Sequence, residues 1–218
     1  MPQQMADMKR IKILLFLLLL VITVITCIDP VYPHEQFLQH AGTVLLVIPL
    51  ISDLYKNRMP MMTFTCLVLF TILHVIGARY IYSYVPYKEW FIDLGIVDAD
   101  YFTDRRNHYD RFVHFSFGFL MFPYFLYLCK KWFKQGISAA MLMAWLIIQT
   151  GSLIYELFEW SLTIIMTSEK ADYYNGQQGD MWDAQKDMAL ALLGSSVMVV
   201  LYIVQRLINR WWPIRALQ

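Results

Sequence analysis

The sequence predicts an all-α protein, a polytopic membrane helix bundle of about six transmembrane helices with its N-terminus and C-terminus in the cytoplasm. Three observations carry this expectation. Hydrophobic residues make up 58% of the 218 and charged residues only 16%, against roughly 45–50% and 25% in soluble domains. The apolar residues fall in runs long enough to cross a hydrocarbon core of ~30 Å at ~1.5 Å per residue. The short polar segments between the runs carry lysine and arginine unequally on the two sides.

The chain reads as a single integral membrane domain, 1–218, with spans at 11–28, 37–55, 61–82, 111–129, 137–166 and 187–207. Lys9, Arg10 and Lys12 precede the first run, Ile13 to Ile28. That pattern suits either a signal peptide or a first membrane helix. The run ends Thr23-Val24-Ile25-Thr26-Cys27 rather than in an A-x-A-like cleavage site, and Thr26 stands where a lipoprotein would carry a small residue. A retained helix is therefore expected.

Two loops between spans are long, Ser83 to Asp110 and Thr167 to Lys186. In the first, Pro86 to Gly95 mixes aromatic and charged residues as an interfacial helix or aromatic belt does. With six spans, Lys9, Arg10, Lys12, Lys56, Arg58, Lys130, Lys131, Lys134, Arg206, Arg210 and Arg215 share one side. The other side holds Arg79, Lys88, Arg105, Arg106, Arg111, Lys170 and Lys186, a division of 11 against 7 among the 18 basic residues. The first side also has the shorter loops, so it is expected to be cytoplasmic.

A formal net charge of +1 offers no basic surface of the kind nucleic acid requires. Cys27, Cys66 and Cys129 lie in or at the end of apolar runs without C-x-x-C spacing. Neither a disulfide framework nor a thiolate metal site is indicated, and all three are expected to be packing residues.

The chemistry is expected in one layer near the outer helix ends. His40, His74 and Arg79, Asp110 with Arg111 and His114, Glu156 with Glu159, and Asp180 with Asp183 and Asp187 all fall at that depth. Asp110 and His114 are spaced i,i+4, and Glu156 and Glu159 i,i+3. Asp180, Asp183 and Asp187 are spaced i,i+3 and i,i+7, so each set shares a helix face. Ionisable groups inside spans are costly and need partners. Three accounts are open. Imidazole with carboxylates suits a divalent metal, Zn, Mn or Fe. Alternatively Arg79 and Arg111 pair with the acids in a structural network, or the groups form a transport or proton path continued by Asp53.

The function expected on the first account is a metal-dependent hydrolase or transferase acting on a lipid or lipid-linked substrate in the outer leaflet, with the bilayer as the chain's environment. His74, Asp110, His114, Glu156, Glu159, Asp180, Asp183 and Asp187 are the candidate metal ligands. Asp110, His114, Glu159 and Asp183 are the candidate catalytic groups, with a metal-bound water as nucleophile. Arg79 and Arg111 would hold an anionic head group. The alternative function is a non-enzymatic membrane protein, a small transporter or a structural or partner-binding bundle. No HExxH helix or GxSxG turn is present. Asp180-Met-Trp-Asp183-Ala-Gln-Lys-Asp187 is similar to the aspartate ladder of CDP-alcohol phosphotransferases, but it lacks the Gly after the second Asp and the Ala-Arg pair. That family is not assigned.

Four ordered segments carry a closer resemblance. They are His74-Val-Ile-Gly-Ala-Arg79-Tyr80-Ile-Tyr82-Ser83, Asn107-His108-Tyr109-Asp110-Arg111-Phe-Val-His114-Phe, Tyr155-Glu156-Leu-Phe-Glu159-Trp160 and Gly179-Asp180-Met-Trp182-Asp183-Ala-Gln185-Lys-Asp187-Met. Through them the chain resembles the YjdF-like bacterial inner-membrane proteins, from about the second span to the sixth. The resemblance implies a multi-pass protein of the bacterial inner (cytoplasmic) membrane. That family is a domain of unknown function, so it implies no reaction, substrate or ligand set.

Overall fold

The computed structural model describes residues 2–134, 136–165 and 178–211. Among them the chain is wholly helical. The α-helices are α1 (Pro2–Cys27), α2 (Pro33–Lys56), α3 (Met61–Arg79), α4 (Tyr87–Asp93), α5 (Tyr109–Phe133), α6 (Ile137–Ile165) and α7 (Asp183–Trp211), with a 3-10 turn at Ala99–Tyr101. Six are long and apolar enough to cross a membrane, and α4 is a short helix within the segment Pro86 to Gly95 that reads as an interfacial helix or aromatic belt. The later part of the second long loop, residues 178–182, is described; residues 166–177 lie outside the described part, as does the last residue of the span read at 137–166.

Helix ends follow local chemistry. Pro33 opens α2, where its missing N–H is no loss. Asn57 closes it in the left-handed conformation, φ 45°, donating its N–H to Asp53 O. The third span ends at Arg79 rather than Tyr82. Ile81 and Tyr82 take φ of 48° and 55°, a region costly for a β-branched residue. The reversal folds the Tyr82 ring back along α3. Gly77 makes room for it, since a Cβ there would stand 2.5 Å from Tyr82 Cε1.

The helices pack as two groups of three joined by α3 against α5. Helix α3 carries α1 and α2, and α5 carries α6 and α7. Leu19, Leu50, Phe64, Leu67 and Val113 centre the first core, and Phe122, Ala140, Ala144, Ile148 and Met198 the second. The closest pair is α5 with α7. At one end of the bundle Lys12 of α1, only 2% exposed, donates to Asp53 Oδ2 (2.6 Å), Asn57 Oδ1 (3.1 Å) and Met59 O (2.7 Å). Asp53 Oδ1 accepts from the Arg58 and Met59 N–H groups at 2.8 and 2.7 Å. Every charge in that buried knot is met, so it ties α1 to the α2–α3 turn. Asp110, His114, Glu156, Asp183 and Asp187 gather at the opposite end, which carries α4.

Candidate functional site

The expected polar layer divides into separate groups. The deepest group stands where the first turns of α5 and α7 meet α6. Asp110, His114 and Asp187 are all buried, and each offers a ligand atom within 4.8 Å of the others. Glu156 of α6, 6% exposed, places Oε1 3.5 Å from His114 Nε2, and Asp110 Oδ1 lies 3.7 Å from the same nitrogen. Glu156 Oε1 and Asp187 Oδ1 have no hydrogen-bond partner among the described residues. Tyr155 sets its ring edge-on to His114 at 5.7 Å and hydrogen-bonds Glu159, one turn beyond Glu156.

What brings these groups together is a close approach of two backbones. A Cβ at Gly118 would stand 2.1 Å from Ala191 O, and one at Gly194 2.1 Å from Phe115 O, so only glycine fits at either position. His114 is one turn before Gly118, and Asp187 one turn before Ala191. The glycine contact therefore sets the imidazole and the carboxylate opposite each other. Small residues at helical spacing, Gly118 on one helix with Ala191, Gly194 and Ser195 on the other, are the sequence signal that could have found this pair.

Above this group, toward the helix ends, lies a network of ion pairs. Arg106 pairs with Asp183. Arg111 pairs with Asp180 and also reaches Asp183 at 3.3 Å, and Lys186 bonds Asp180 at 2.6 Å. The Lys186 ammonium, with the Trp182 N–H and Arg111, holds the Asp180 carboxyl well below the usual carboxylate range. Asn107 and Gln178 exchange hydrogen bonds of 2.8 and 3.0 Å, fastening the long loop to the approach to α7. Asp180 and Asp183 are thus tied to cations. Arg106 and Lys186, which sequence reasoning passed over, carry much of that pairing.

His74 and Arg79 stand elsewhere. The buried His74 ring is held at both nitrogens, Nε2 to Gln39 O at 3.1 Å and Nδ1 to the Tyr82 hydroxyl at 2.5 Å. The carbonyl can only accept, so Nε2 carries the proton and Nδ1 accepts from Tyr82. This ring fastens α2 and the α3 reversal and has no nitrogen left for a metal. Arg79 donates to Thr26 O (2.8 Å), Ile28 O (2.7 Å) and Asp29 O (3.2 Å), satisfying carbonyls at the α1 C-terminus. Among the described residues it makes no ion pair with the acids, and its guanidinium is engaged by backbone.

The fold and the buried Asp/His group define a multi-pass helical membrane protein with a polar centre held inside its bundle. Residues 11–207 match the model of a family described as predicted membrane protein (DUF2238), and the chain belongs to that family. It is 30% identical over 173 residues to the inner membrane protein YjdF of Escherichia coli (strain K12), an alignment covering 75% of this chain and 76% of the relative. No solved structure matches it.

Proposed function

We propose that this chain binds a divalent cation between Asp110, His114, Glu156 and Asp187 and acts as a metal-dependent hydrolase or transferase on a lipid or lipid-linked substrate. The observation that carries this reading is the pair of buried acceptors, Glu156 Oε1 and Asp187 Oδ1, that no donor among the described residues meets. A carboxylate left so in a membrane bundle costs several kcal/mol unless a counter-charge is present. The available cations, Arg106, Arg111 and Lys186, are engaged with Asp180 and Asp183.

The donor set suits Zn, Mn or Fe. Tetrahedral ligands at about 2.1 Å from a metal lie about 3.4 Å apart, close to the 3.5 and 3.7 Å separations about His114 Nε2. A cation held there would supply Lewis acidity and a water of lowered pKa. Glu159, bonded to Tyr155 beside the group, is placed to move a proton. Arg106, Arg111 and Lys186 are placed to receive an anionic head group. Exposed Leu157, Phe158, Trp160, Met181 and Trp182 border the site, which supports a substrate arriving from the lipid.

The non-enzymatic alternative finds less support. A structural ion-pair account covers Asp180 and Asp183 and leaves Glu156 Oε1 and Asp187 Oδ1 without a hydrogen-bond donor among the described residues. A transport path continued through Asp53 is opposed by the Lys12 knot that occupies that residue.

The test is elemental analysis and thermal unfolding of the detergent-purified protein. About one transition-metal ion per chain is expected. Chelation should lower stability by RT ln(1 + [L]/Kd), about 2.7 kcal/mol at a hundredfold excess over Kd. Asp187→Asn and Glu156→Gln should lose the metal and become indifferent to chelator. Metal-free protein whose melting temperature responds to neither chelator nor added Zn, Mn or Fe would overturn the reading.

A further inference from the structure

The second histidine group, at the junction of α1 and α2, is independent of the centre described above. Cys27 is the last residue of α1, and it is exposed, unlike the buried Cys66 and Cys129. Its Sγ lies 3.4 Å from His40 Nε2. His40 Nδ1 is 3.0 Å from Thr43 Oγ1. Gln36 Nε2 stands 3.9 Å from the same sulfur and 3.4 Å from His40 Nε2, while bonding Thr26 O at 2.9 Å. Gln36, His40 and Thr43 recur at i, i+4 and i+7, so one face of α2 presents all three to the end of α1.

We propose that Cys27 is the nucleophile of an acyl-transfer site, with His40 as its base, Thr43 as the residue that positions the imidazole, and Gln36 as an amide donor beside the reacting sulfur. The order of parts is thiol, base and orienter within hydrogen-bond reach, which is the arrangement an activated nucleophile needs. With Nδ1–H donating to Thr43, Nε2 is left to accept the thiol proton. The end of a helix ordinarily disfavours a thiolate, because its carbonyls point there. Arg79 donates to Thr26 O and Ile28 O on either side of Cys27, so the carbonyls that point there are engaged by a guanidinium. Gln36 is 3% exposed, and while its Nε2 bonds Thr26 O its Oε1 meets no donor among the described residues, a buried polar atom that protein packing leaves open here.

The substrate class follows from depth and surroundings. Cys27 ends a membrane-spanning helix, the level at which hydrocarbon gives way to head groups, and glycerolipid ester carbonyls sit at that boundary. Val24, Ile25, Phe37 and Val44 nearby are exposed, so an acyl chain can lie alongside. In the step, the Cys27 thiol proton passes to His40 Nε2 as Sγ adds to the ester carbonyl carbon. The ester C–O bond then breaks, the leaving alcohol takes the proton from His40, and the acyl group remains on Sγ as a thioester.

The full chain is purified in detergent and treated with p-nitrophenyl decanoate, and separately reconstituted in vesicles of phosphatidylethanolamine and phosphatidylglycerol. About one nitrophenolate per chain is expected in the first arm. Intact mass should show one acyl group on the Cys27 peptide in both arms, removable by neutral hydroxylamine and absent in Cys27→Ser. His40→Gln should slow acylation about 100-fold. Should that variant fail to fold, Thr43→Val and the wild-type pH profile decide. The wild-type rate should rise with pH well below the ordinary thiol range near 8.5, and Thr43→Val should slow it about tenfold and move that profile. Acylation at the rate of glutathione at the same pH, or a rate that ignores both His40 and Thr43, would overturn the nucleophile. Thioester formation from the nitrophenyl ester with none from phospholipid would overturn the lipid as donor.

Discussion

Gly118 of α5 and Gly194 of α7 each lie against the backbone of the other's helix, so that a methyl group at either would stand 2.1 Å from a carbonyl oxygen across the contact. The contact is one helical turn from His114 and two from Asp187, and it makes the spacing of the buried centre a consequence of packing. Gly118→Val and Gly194→Val should each cost at least about 1–3 kcal/mol by overpacking and should weaken metal retention in the same samples. Gly136→Ala, where nothing stands within 4 Å of a Cβ, is the control. Thermal unfolding in detergent with elemental analysis of each variant checks both expectations.

Lys12 and Asp53 make the opposite kind of contact, a fully met ion pair buried to 2% and 5% exposure. Removing one member leaves a buried charge, so Lys12→Met should destabilise by about 3–5 kcal/mol. Lys12→Met with Asp53→Asn should recover much of that loss, because the amide oxygen can still accept from the Arg58 and Met59 N–H groups. A double variant no more stable than the single would show that the backbone contacts need the full carboxylate. Unfolding curves of the three proteins measure this.

Asp180 carries the acid sensitivity of the ion-pair network. Its carboxyl is held below the ordinary range by Lys186, the Trp182 N–H and Arg111. A folded-state pKa below the unfolded one means that the stabilisation is complete above the usual aspartate value near 4 and is lost as pH falls through the lower folded value. The melting temperature should therefore drop as pH is taken from about 5 toward 2, and Asp180→Asn should flatten part of that fall. An unchanged acid limb in the variant would assign the sensitivity to Asp104 instead, whose carboxyl the Arg106 N–H and His108 hold below the usual range.

The lysine and arginine distribution predicts a direction for the bundle, and two exposed aromatic residues test it. Tyr101, 70% exposed in the loop after α4, and Trp132, 68% exposed near the end of α5, lie at opposite ends. In a Cys27→Ser background, Tyr101→Cys should react with an impermeant thiol reagent in intact cells, and Trp132→Cys only after lysis. The reverse pattern would place the α4 end in the cytoplasm.

Much of the architecture was legible in the residues. Apolar runs near the length of a bilayer pointed to six spans, and six helices are long and apolar enough to cross one, because hydrophobic length is a property of each segment alone. The overrun at Tyr82 has a local cause, the reversal at Ile81 and Tyr82 that Gly77 permits. The candidate site was legible as depth. Asp110, His114, Glu156 and Asp187 were singled out and do converge, whereas Cys27 was read as packing and is exposed beside His40.

The sequence by itself determined that the chain is a helical bundle in a membrane and that Asp110, His114, Glu156, Asp183 and Asp187 share one end of it. Helical periodicity assigns each residue a depth and a face on its own helix, and nothing more. Which faces meet depends on how the helices are rotated and which are neighbours, and that was decided only in the tertiary structure. Packing of α5 on α7 through Gly118 and Gly194 drew Asp110, His114 and Asp187 together, turned Asp180 and Asp183 toward Arg106, Arg111 and Lys186, and left His74 to Tyr82 and Arg79 to the end of α1.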